Sequence, residues 1–410
     1  MGSAAPGNDA NAATHAAIGR IFREEAGRLT GVLVRLLGDF DEAEDLVQEA
    51  LLAALEHWPT EGIPHRPGAW LMTAARRKAI DRWRRRARYQ ELLAQIPAEP
   101  SDASGEPDDR LRLIFTCCHP AIAREGQLAL TLRAVLGLTT GEIARAFLSN
   151  EATIAQRIVR AKRKIVEARI PYRMPGAEDL TARLDEVLRV LYLLFNEGYL
   201  SAGGTAAVRR DLAEDAEWLT ALLARLLPAQ PEVAGLLALI RLHRARERAR
   251  LGAEGRLILL QHQDRSLWDH ALIAEAVVLL EQASRMGRPG PYQVQAAIVA
   301  CHAEARSWEA TDWPQILALY DVLARFDPSP VIALNRAIAL RHVAGPAAAL
   351  AAVDTFASAL ERYHLFHATR AELLRALGRS AEAREADLQA IALTANPAER
   401  ALLQERIGLH

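Results

Sequence analysis

Two adjacent thiols followed by an imidazole, Cys117-Cys118-His119, are the residues best equipped for metal or redox chemistry in this chain. Their spacing argues against it. Adjacent cysteines do not give the C-x-x-C geometry of a zinc site, and a free Cys is commonly a small buried hydrophobe. Core packing is the reading for this pair and for Cys301-His302. Three cysteines in all supply no disulfide framework. No nucleophile–base pair, phosphate loop or paired-carboxylate set occurs, so no enzyme is expected, with no catalytic residue, metal or cofactor. The chemistry that the sequence does carry is ionic. Between Arg76 and Arg88 stand eight basic residues against one acid, Asp81. A second basic group, Arg157, Arg160, Lys162, Arg163 and Lys164, follows a T-x-x-E signature at Thr139 and Glu142. Dense cations on short helices are an electrostatic footprint for phosphates.

These groups need elements to hold them. The 410 residues are half hydrophobic and one quarter charged, ordinary for globular domains, with a formal net charge of -1. Ala, Leu, Arg and Glu dominate, and β-branched and aromatic residues are scarce, which favours helix throughout. The expected fold class is all-α. No apolar run approaches the ~20 residues of a membrane span, and the N-terminus lacks a basic start and a long apolar stretch, so no signal peptide is read. A cytoplasmic protein without membrane association is expected.

Composition divides the chain. Residues 1–13 read as a disordered tail and 14–90 as a helical domain ending basic. Residues 91–110, with Pro97, Pro100, Pro107 and five acids between Glu99 and Asp109, read as a flexible acidic linker. Residues 111–170 form a second helical domain, closed by Pro171 and Pro175, and 171–410 a long helical extension. Within it, Gly345 and Gly378 stand 33 residues apart, each between two helical patterns. That is close to the ~34-residue tetratricopeptide (TPR) period, so TPR-like repeats are expected near 331–397. Ala348 and Ala381 share an offset from the two glycines and suit close helix pairing.

Three stretches carry functional patterns. Residues 39–61 hold eight acids and no Lys or Arg. Ala43, Leu46, Val47, Ala50, Leu51, Ala54 and Trp58 fall on one helical face and should pack inward, with Asp39 or Asp41 as the cap. Asp45, Gln48, Glu49 and the apolar Leu52 remain outside, which points to a partner surface. Next, PGAWLMTAARRKAIDRWRRRARY sets Met72, Ala75, Ala79 and Trp83 as an inward stripe. Arg76, Arg77, Lys78, Arg82 and Arg85 surround it, and Trp70 and Trp83 offer stacking surfaces of the kind used by single-strand binders. Third, LTTGEIARAFLSNEATIAQRIVRAKRKI reads as a helix-turn-helix. Thr139 and Glu142 make a capping box, Ile143, Ala144 and Phe147 face inward, and Ser149 can cap the second helix. Ile154, Ile158, Ala161 and Ile165 are its buried stripe. Ala155, Gln156, Val159 and Arg160 face out, where Gln156 suits adenine and Arg160 guanine. Arg157, Lys162, Arg163 and Lys164 suit phosphates.

In this order the pieces resemble the sigma-70 family of RNA polymerase sigma factors, in its extracytoplasmic-function (ECF) class. DEAEDLVQEALLAALEHW resembles the helix that binds the clamp helices of the largest polymerase subunit, which implies core docking by Asp45, Gln48, Glu49 and Leu52. PGAWLMTAARRKAIDRWRRR resembles the WLxxIARNxAIDxxR pattern that binds and melts the minus-ten element, implying that role for Arg76, Arg77, Lys78, Arg82 and Arg85. Arg77 stands where the family usually has Asn. Residues 127–168 resemble the minus-thirty-five-binding domain, which also meets the flap of the second-largest subunit. The resemblance implies minus-thirty-five contacts by Ala155, Gln156, Arg157, Val159, Arg160, Arg163 and Lys164. FTCCHPAI, LYLLFNEGYLSAGG and the C-terminal helices resemble the ECF group with a TPR-like extension, in which a YCII-like (DGPF-type) protein is a typical candidate partner. The implied activity is promoter recognition and transcription initiation, with the extension regulating or supporting it. A one-component helix-turn-helix regulator with a helical ligand- or protein-binding domain is the alternative, and it leaves the acidic and tryptophan-bearing helices unexplained.

Overall fold

The computed structural model describes residues 7–83, 108–147, 149–200, 206–250, 252, 256–394 and 396–408. Among them the chain is built from helices, and no strand forms. It divides into two compact units, Met1–Leu194 and Phe195–His410.

In the first unit, α1 (Gly7–Leu37), α2 (Phe40–Glu61) and α3 (Pro67–Trp83) share one core. Asp39 starts α2: its carboxylate accepts from the amides of Asp41 (2.8 Å) and Glu42 (3.0 Å), satisfying donors that the first turn leaves unpaired. Leu46, Val47, Ala50, Ala54 and Trp58 of α2 are buried as the periodicity predicts, while Leu51 is half-buried. The Trp58 and Trp70 rings meet edge to face at 5.3 Å and fix α3 against α2. Met72, Ala75 and Ala79 of α3 face inward; the Trp83 side chain lies outside the described residues, as do residues 1–6 of the expected tail 1–13 and 91–107 of the expected linker 91–110. Residues 7–13, read as tail, instead open α1, where the alanine-rich sequence favours helix, and Asp109 and Arg110, read as linker, already belong to a helix.

Then come α4 (Asp109–Cys117), α5 (Arg124–Ala134), α6 (Thr140–Ala146), α7 (Glu151–Glu167) and α8 (Ala177–Leu200). The capping box at Thr139 and Glu142 forms in both directions. Asn150, rather than Ser149, caps α7 by accepting from the Thr153 amide at 2.7 Å. The shift of one residue leaves Ser149 in the turn. Phe147 ends α6 half-buried. The start of α8 belongs to this unit: Arg183 donates to the Phe115 carbonyl, and Glu186 pairs with Arg124 at 3.1 Å.

The second unit contains α9 (Ala206–Leu226), α10 (Pro231–Arg244), the single turn α11 (Glu247–Arg250), α12 (His270–Arg285), α13 (Pro291–Glu304), α14 (Trp313–Phe326), α15 (Pro330–Ala344), α16 (Pro346–Asp354), the turn α17 (Ala357–Leu360), α18 (His364–Ala376), α19 (Ser380–Leu393) and α20 (Pro397–Gly408). Helix α10 is its centre, with Val233, Leu236, Leu239, Ile240 and Leu242 buried. Gly235 lets α13 approach, since a Cβ there would stand 2.8 Å from the Gln293 amide nitrogen. The pairs α15–α16 and α18–α19 are the helical hairpins expected from the repeat. Their turns use Gly345 (φ 85°) and Gly378 (φ 74°), conformations that favour glycine. The small residues that pack are Ala349 and Ala383, not Ala348 and Ala381; Ala348 is half-buried and Ala381 exposed. The common offset from the two glycines is therefore not kept: the buried alanine stands four residues after Gly345 and five after Gly378.

Two histidines make this unit acid-sensitive. Burial, followed by the neighbouring Arg246, Arg265 and His342, pushes His302 down to about 4 from the ordinary 6.5. Burial and two arginines also hold His243 well below that value. The folded chain therefore binds these protons less tightly than the unfolded chain. Their neutral forms contribute stability that is present above about pH 6.5 and lost as pH falls toward 4. The thermal midpoint should fall steadily from pH 7 to pH 4.5, and His302→Phe should flatten that fall. A slope unchanged in the variant, by circular dichroism at matched ionic strength, would remove His302 from the account.

Candidate nucleic-acid and protein interface

The outward face of α2 combines charge with one apolar residue. Asp45 is exposed, Gln48 and Glu49 are half-buried, and Leu52 is 59% exposed in their midst. A large aliphatic side chain left open among acids is an informative exception to ordinary burial. On α3, Arg77 and Lys78 are exposed and Arg76 is half-buried, with its Nε enclosed and unpartnered. The Arg82 side chain and Arg85 lie outside the described residues.

Helix α7 separates its two faces cleanly. Ile154, Ile158, Ala161 and Ile165 are buried, whereas Ala155, Gln156, Arg160, Arg163, Lys164 and Val159 (62%) are exposed and Arg157 is half-buried. Arg163 pairs along the helix with Glu167 at 2.6 Å. Beside this face lies a groove that sequence reading missed. Ala121, Ile122, Ala123, Glu125 and Gly126, at the entry to α5, line it together with Arg157, Arg160 and Lys164. Gly126 permits the approach: a Cβ there would stand 3.3 Å from that of Ala161. The signal was a glycine in the first turn of a predicted helix, which has a packing reason more often than a local one.

One charged residue is placed differently from expectation. Lys162 does not join the phosphate-facing cations; its ammonium lies 2.6 Å from Asp41 and 3.1 Å from Glu44 of α2. Glu44, 8% exposed, also pairs with Arg133 of α5 at 3.0 Å. Glu44 adjoins the Ala43–Val47 stripe, so its burial was readable from the wheel, but its partners, 89 and 118 residues away in sequence, were not. The same contact surface continues along α1. Arg35 reaches Asp109 at 3.0 Å, and the Tyr172 hydroxyl donates to the carbonyls of Gly31 (3.0 Å) and Asp109 (3.2 Å). Gly27 and Gly31 leave room for this: added Cβ atoms would fall 2.6 Å from the Val135 carbonyl oxygen and 2.8 Å from that of Asp109. The three-helix domain and the helix-turn-helix domain are thus packed directly together.

Cys117 and Cys118 are buried and free, as core packing requires. The Cys118 thiol lies 3.5 Å from the Thr131 hydroxyl, and burial pushes it up to about 12. A thiol so far from ionisation is a poor nucleophile. Among the described residues no cluster of three metal-ligating side chains occurs, and no helix is long and apolar enough to cross a membrane.

Known proteins place these features. The family model described as sigma-70 region 2 matches residues 21–89, that described as sigma-70 region 4 matches 112–165, and a family of unknown function (DUF6596) matches 183–284. An uncharacterized protein of Rhizobium meliloti is 45% identical over 388 residues, covering 92% of each chain. The ECF RNA polymerase sigma factor SigL of Mycobacterium tuberculosis is 32% identical over 160 residues, 38% of this chain and 90% of SigL. The probable ECF RNA polymerase sigma factor SigI of the same species is 30% identical over 166 residues, 38% of this chain and 57% of SigI. No solved structure matches. The one-component regulator accounts for region 4 alone and is not favoured. A region 2 domain whose acidic helix stands where the sequence pattern put it, followed by a region 4 helix-turn-helix and a long helical extension, makes this chain a member of the ECF sigma factors of the sigma-70 family.

Proposed function

We propose that the chain divides its work as the residues are distributed. Residues 14–90 dock core polymerase and open the minus-ten element, 111–170 read the minus-thirty-five element, 91–110 link them, and 171–410 regulate or support both. Asp45, Gln48, Glu49 and Leu52 of α2 meet the clamp helices of the largest subunit. Arg76, Arg77, Lys78, Arg82 and Arg85 hold the minus-ten strand. Ala155, Gln156, Val159 and Arg160 face minus-thirty-five base edges, with Arg157, Arg163 and Lys164 on phosphates. Region 4 also meets the flap of the second-largest subunit. The chain acts in the cytoplasm without enzymatic activity, and a YCII-like protein is its candidate partner or target. The observation that carries the promoter assignment is α7, whose exposed face presents Gln156 and Arg160 between cations on a fully buried aliphatic stripe.

The test is transcription from a mapped promoter with purified core polymerase. Arg160→Ala should lower initiation about 10- to 100-fold, the loss of one bidentate base contact of about 1–3 kcal/mol. Changing the contacted base pair should cost the variant nothing further. An equal sensitivity of variant and wild type to that base would remove Arg160 from base reading.

We also infer that the packed first unit is a resting form. Elements near minus ten and minus thirty-five are separated by about 25 base pairs, or ~85 Å at ~3.4 Å each. Domains joined through Lys162, Asp41 and Glu44 within 3.1 Å cannot occupy both. Initiation therefore requires this contact to break.

A further inference from the structure

The second unit pairs most of its enclosed charges. Glu217 takes both Arg241 (3.1 Å) and Arg244, and the Asp387 carboxylate, fully buried, takes Arg375. Glu232 accepts the first amides of α13, from Tyr292 at 2.9 Å and Gln293 at 3.1 Å. One cluster is different. Arg246 joins α10 to α11, Arg250 ends α11, Arg265 opens a 3-10 turn, and His302 lies on α13. Among the described residues, no carboxylate stands within ion-pair distance of Arg246, Arg250 or Arg265.

Their donors can be followed one by one. Arg250 gives Nη1 to the Tyr199 carbonyl (2.7 Å) and lies 3.8 Å above that ring. Arg246 Nη2 stands 3.2 Å from His243 Nδ1, and the same guanidinium hydrogen-bonds the Tyr199 side chain. Arg265 gives Nη1 to the carbonyls of His302 (2.6 Å) and Ala305 (2.8 Å), and its guanidinium rests 4.4 Å from the Trp268 ring centre. Four enclosed nitrogens are then left without a partner: Arg246 Nε, Arg265 Nη2, His302 Nδ1 and Trp268 Nε1. The groups also sense one another. Arg246 and Arg265 both act to keep His302 neutral, and Arg246 disfavours the charge on Arg265. Only Glu309, on the surface, opposes this at Arg265.

An enclosed cation without a counter-charge and an enclosed donor left unpaired are both destabilising. Several such groups brought together from separate elements lack one thing in common, an acceptor that carries negative charge and more than one oxygen. We propose that Arg246, Arg265, His302 and Trp268 form a binding site for a small oxyanion, a phosphate or a carboxylate, inside the C-terminal extension. Guanidinium forks suit both classes. The Nδ1–H tautomer of His302 and the Trp268 indole complete the donor set. The inference does not depend on how the promoter is read, because every group in it belongs to the second unit.

The experiment uses the full-length chain, with inorganic phosphate and malonate as separate probes and chloride at matched ionic strength as control. Saturating phosphate or malonate should raise the thermal midpoint by about 5 °C or more, by mass action, and titration calorimetry should register one site. A response to phosphate alone or malonate alone assigns the ligand class. Arg246→Met should raise the midpoint of the anion-free protein, because it removes an uncompensated charge, and should weaken the anion at least tenfold. Should that variant fail to fold, Arg265→Gln carries the same expectation for the anion. No heat and no shift with either probe overturns the site, and so does a shift that both variants retain.

Discussion

Leu52→Asp should abolish initiation, by about 100-fold or more, while leaving the fold intact. The two halves of that expectation rest on different observations. Leu52 is 59% exposed and belongs to neither the buried stripe of α2 nor the core of the three-helix domain. Substitutions at such positions change stability by about 0.5 kcal/mol or less. A partner helix that covers Leu52, however, would have to bury a carboxylate with no counter-charge. The acids Asp45 and Glu49 nearby make that worse, because they repel the new carboxylate and compete with it for any cation the partner offers. Interfaces concentrate their energy in a few enclosed apolar or aromatic anchors surrounded by polar rim contacts. On the proposed docking, Leu52 would be such an anchor, with Asp45, Gln48 and Glu49 as its rim.

The measurement is co-elution with purified core polymerase, beside a circular-dichroism melt of the variant alone. Asp45→Asn should weaken the complex more modestly and chiefly at low salt, as a screened rim charge does. If Leu52→Asp co-elutes with core as wild type does, α2 does not dock through this face.

What the sequence disclosed about these surfaces follows from the range of the interactions involved. The buried stripes of α2 and α7, the capping box at Thr139 and Glu142 and the glycine turns at 345 and 378 all depend on residues within one or two helical turns. They were legible as spacing. Half-burial of Leu51 and Phe147 was not, because both lie at the margin of a stripe, where a neighbouring helix decides coverage. The cap moved from Ser149 to Asn150 because both residue types serve and only the backbone of the turn chooses. Ala383 replaced Ala381 for a similar reason: repeat offset gives the period but not the rotation of the helix about its axis. Lys162 was the most consequential misplacement. By type and position it belonged with the DNA-facing cations, and only the meeting of α7 with α2 reveals its carboxylate partners. The orphaned donors around Arg246 were wholly illegible, since their defining property is the absence of a partner in three dimensions.

That misplacement leads to the second large effect. Gly31→Val should separate the two domains of the first unit and raise the affinity of the polymerase-free chain for duplex minus-thirty-five DNA about tenfold. A Cβ at Gly31 meets the Asp109 carbonyl oxygen at 2.8 Å and its carbon at 2.9 Å. Both are backbone atoms, so no rotamer change relieves the clash, and the start of α4 must move. The Tyr172 hydroxyl then loses its hold on the Gly31 and Asp109 carbonyls together. If the DNA-competent form is a minor population, its apparent affinity is reduced by that fraction, and opening restores it. Gly31 lies on α1, away from Leu52 and from the exposed face of α7, so the gain cannot come from a new contact. Lys162→Gln approaches the same state through charge, leaving Asp41 without its 2.6 Å partner and Glu44 with Arg133 alone. It also removes a cation from the recognition helix. A gain in DNA affinity despite that lost charge is therefore the stronger result, because simple phosphate attraction predicts the reverse. Fluorescence energy transfer between labels on α2 and α7 reports the separation directly. Should both variants separate the domains and bind DNA no better than wild type, the contact is a structural joint and the packed form is not what limits access to the promoter.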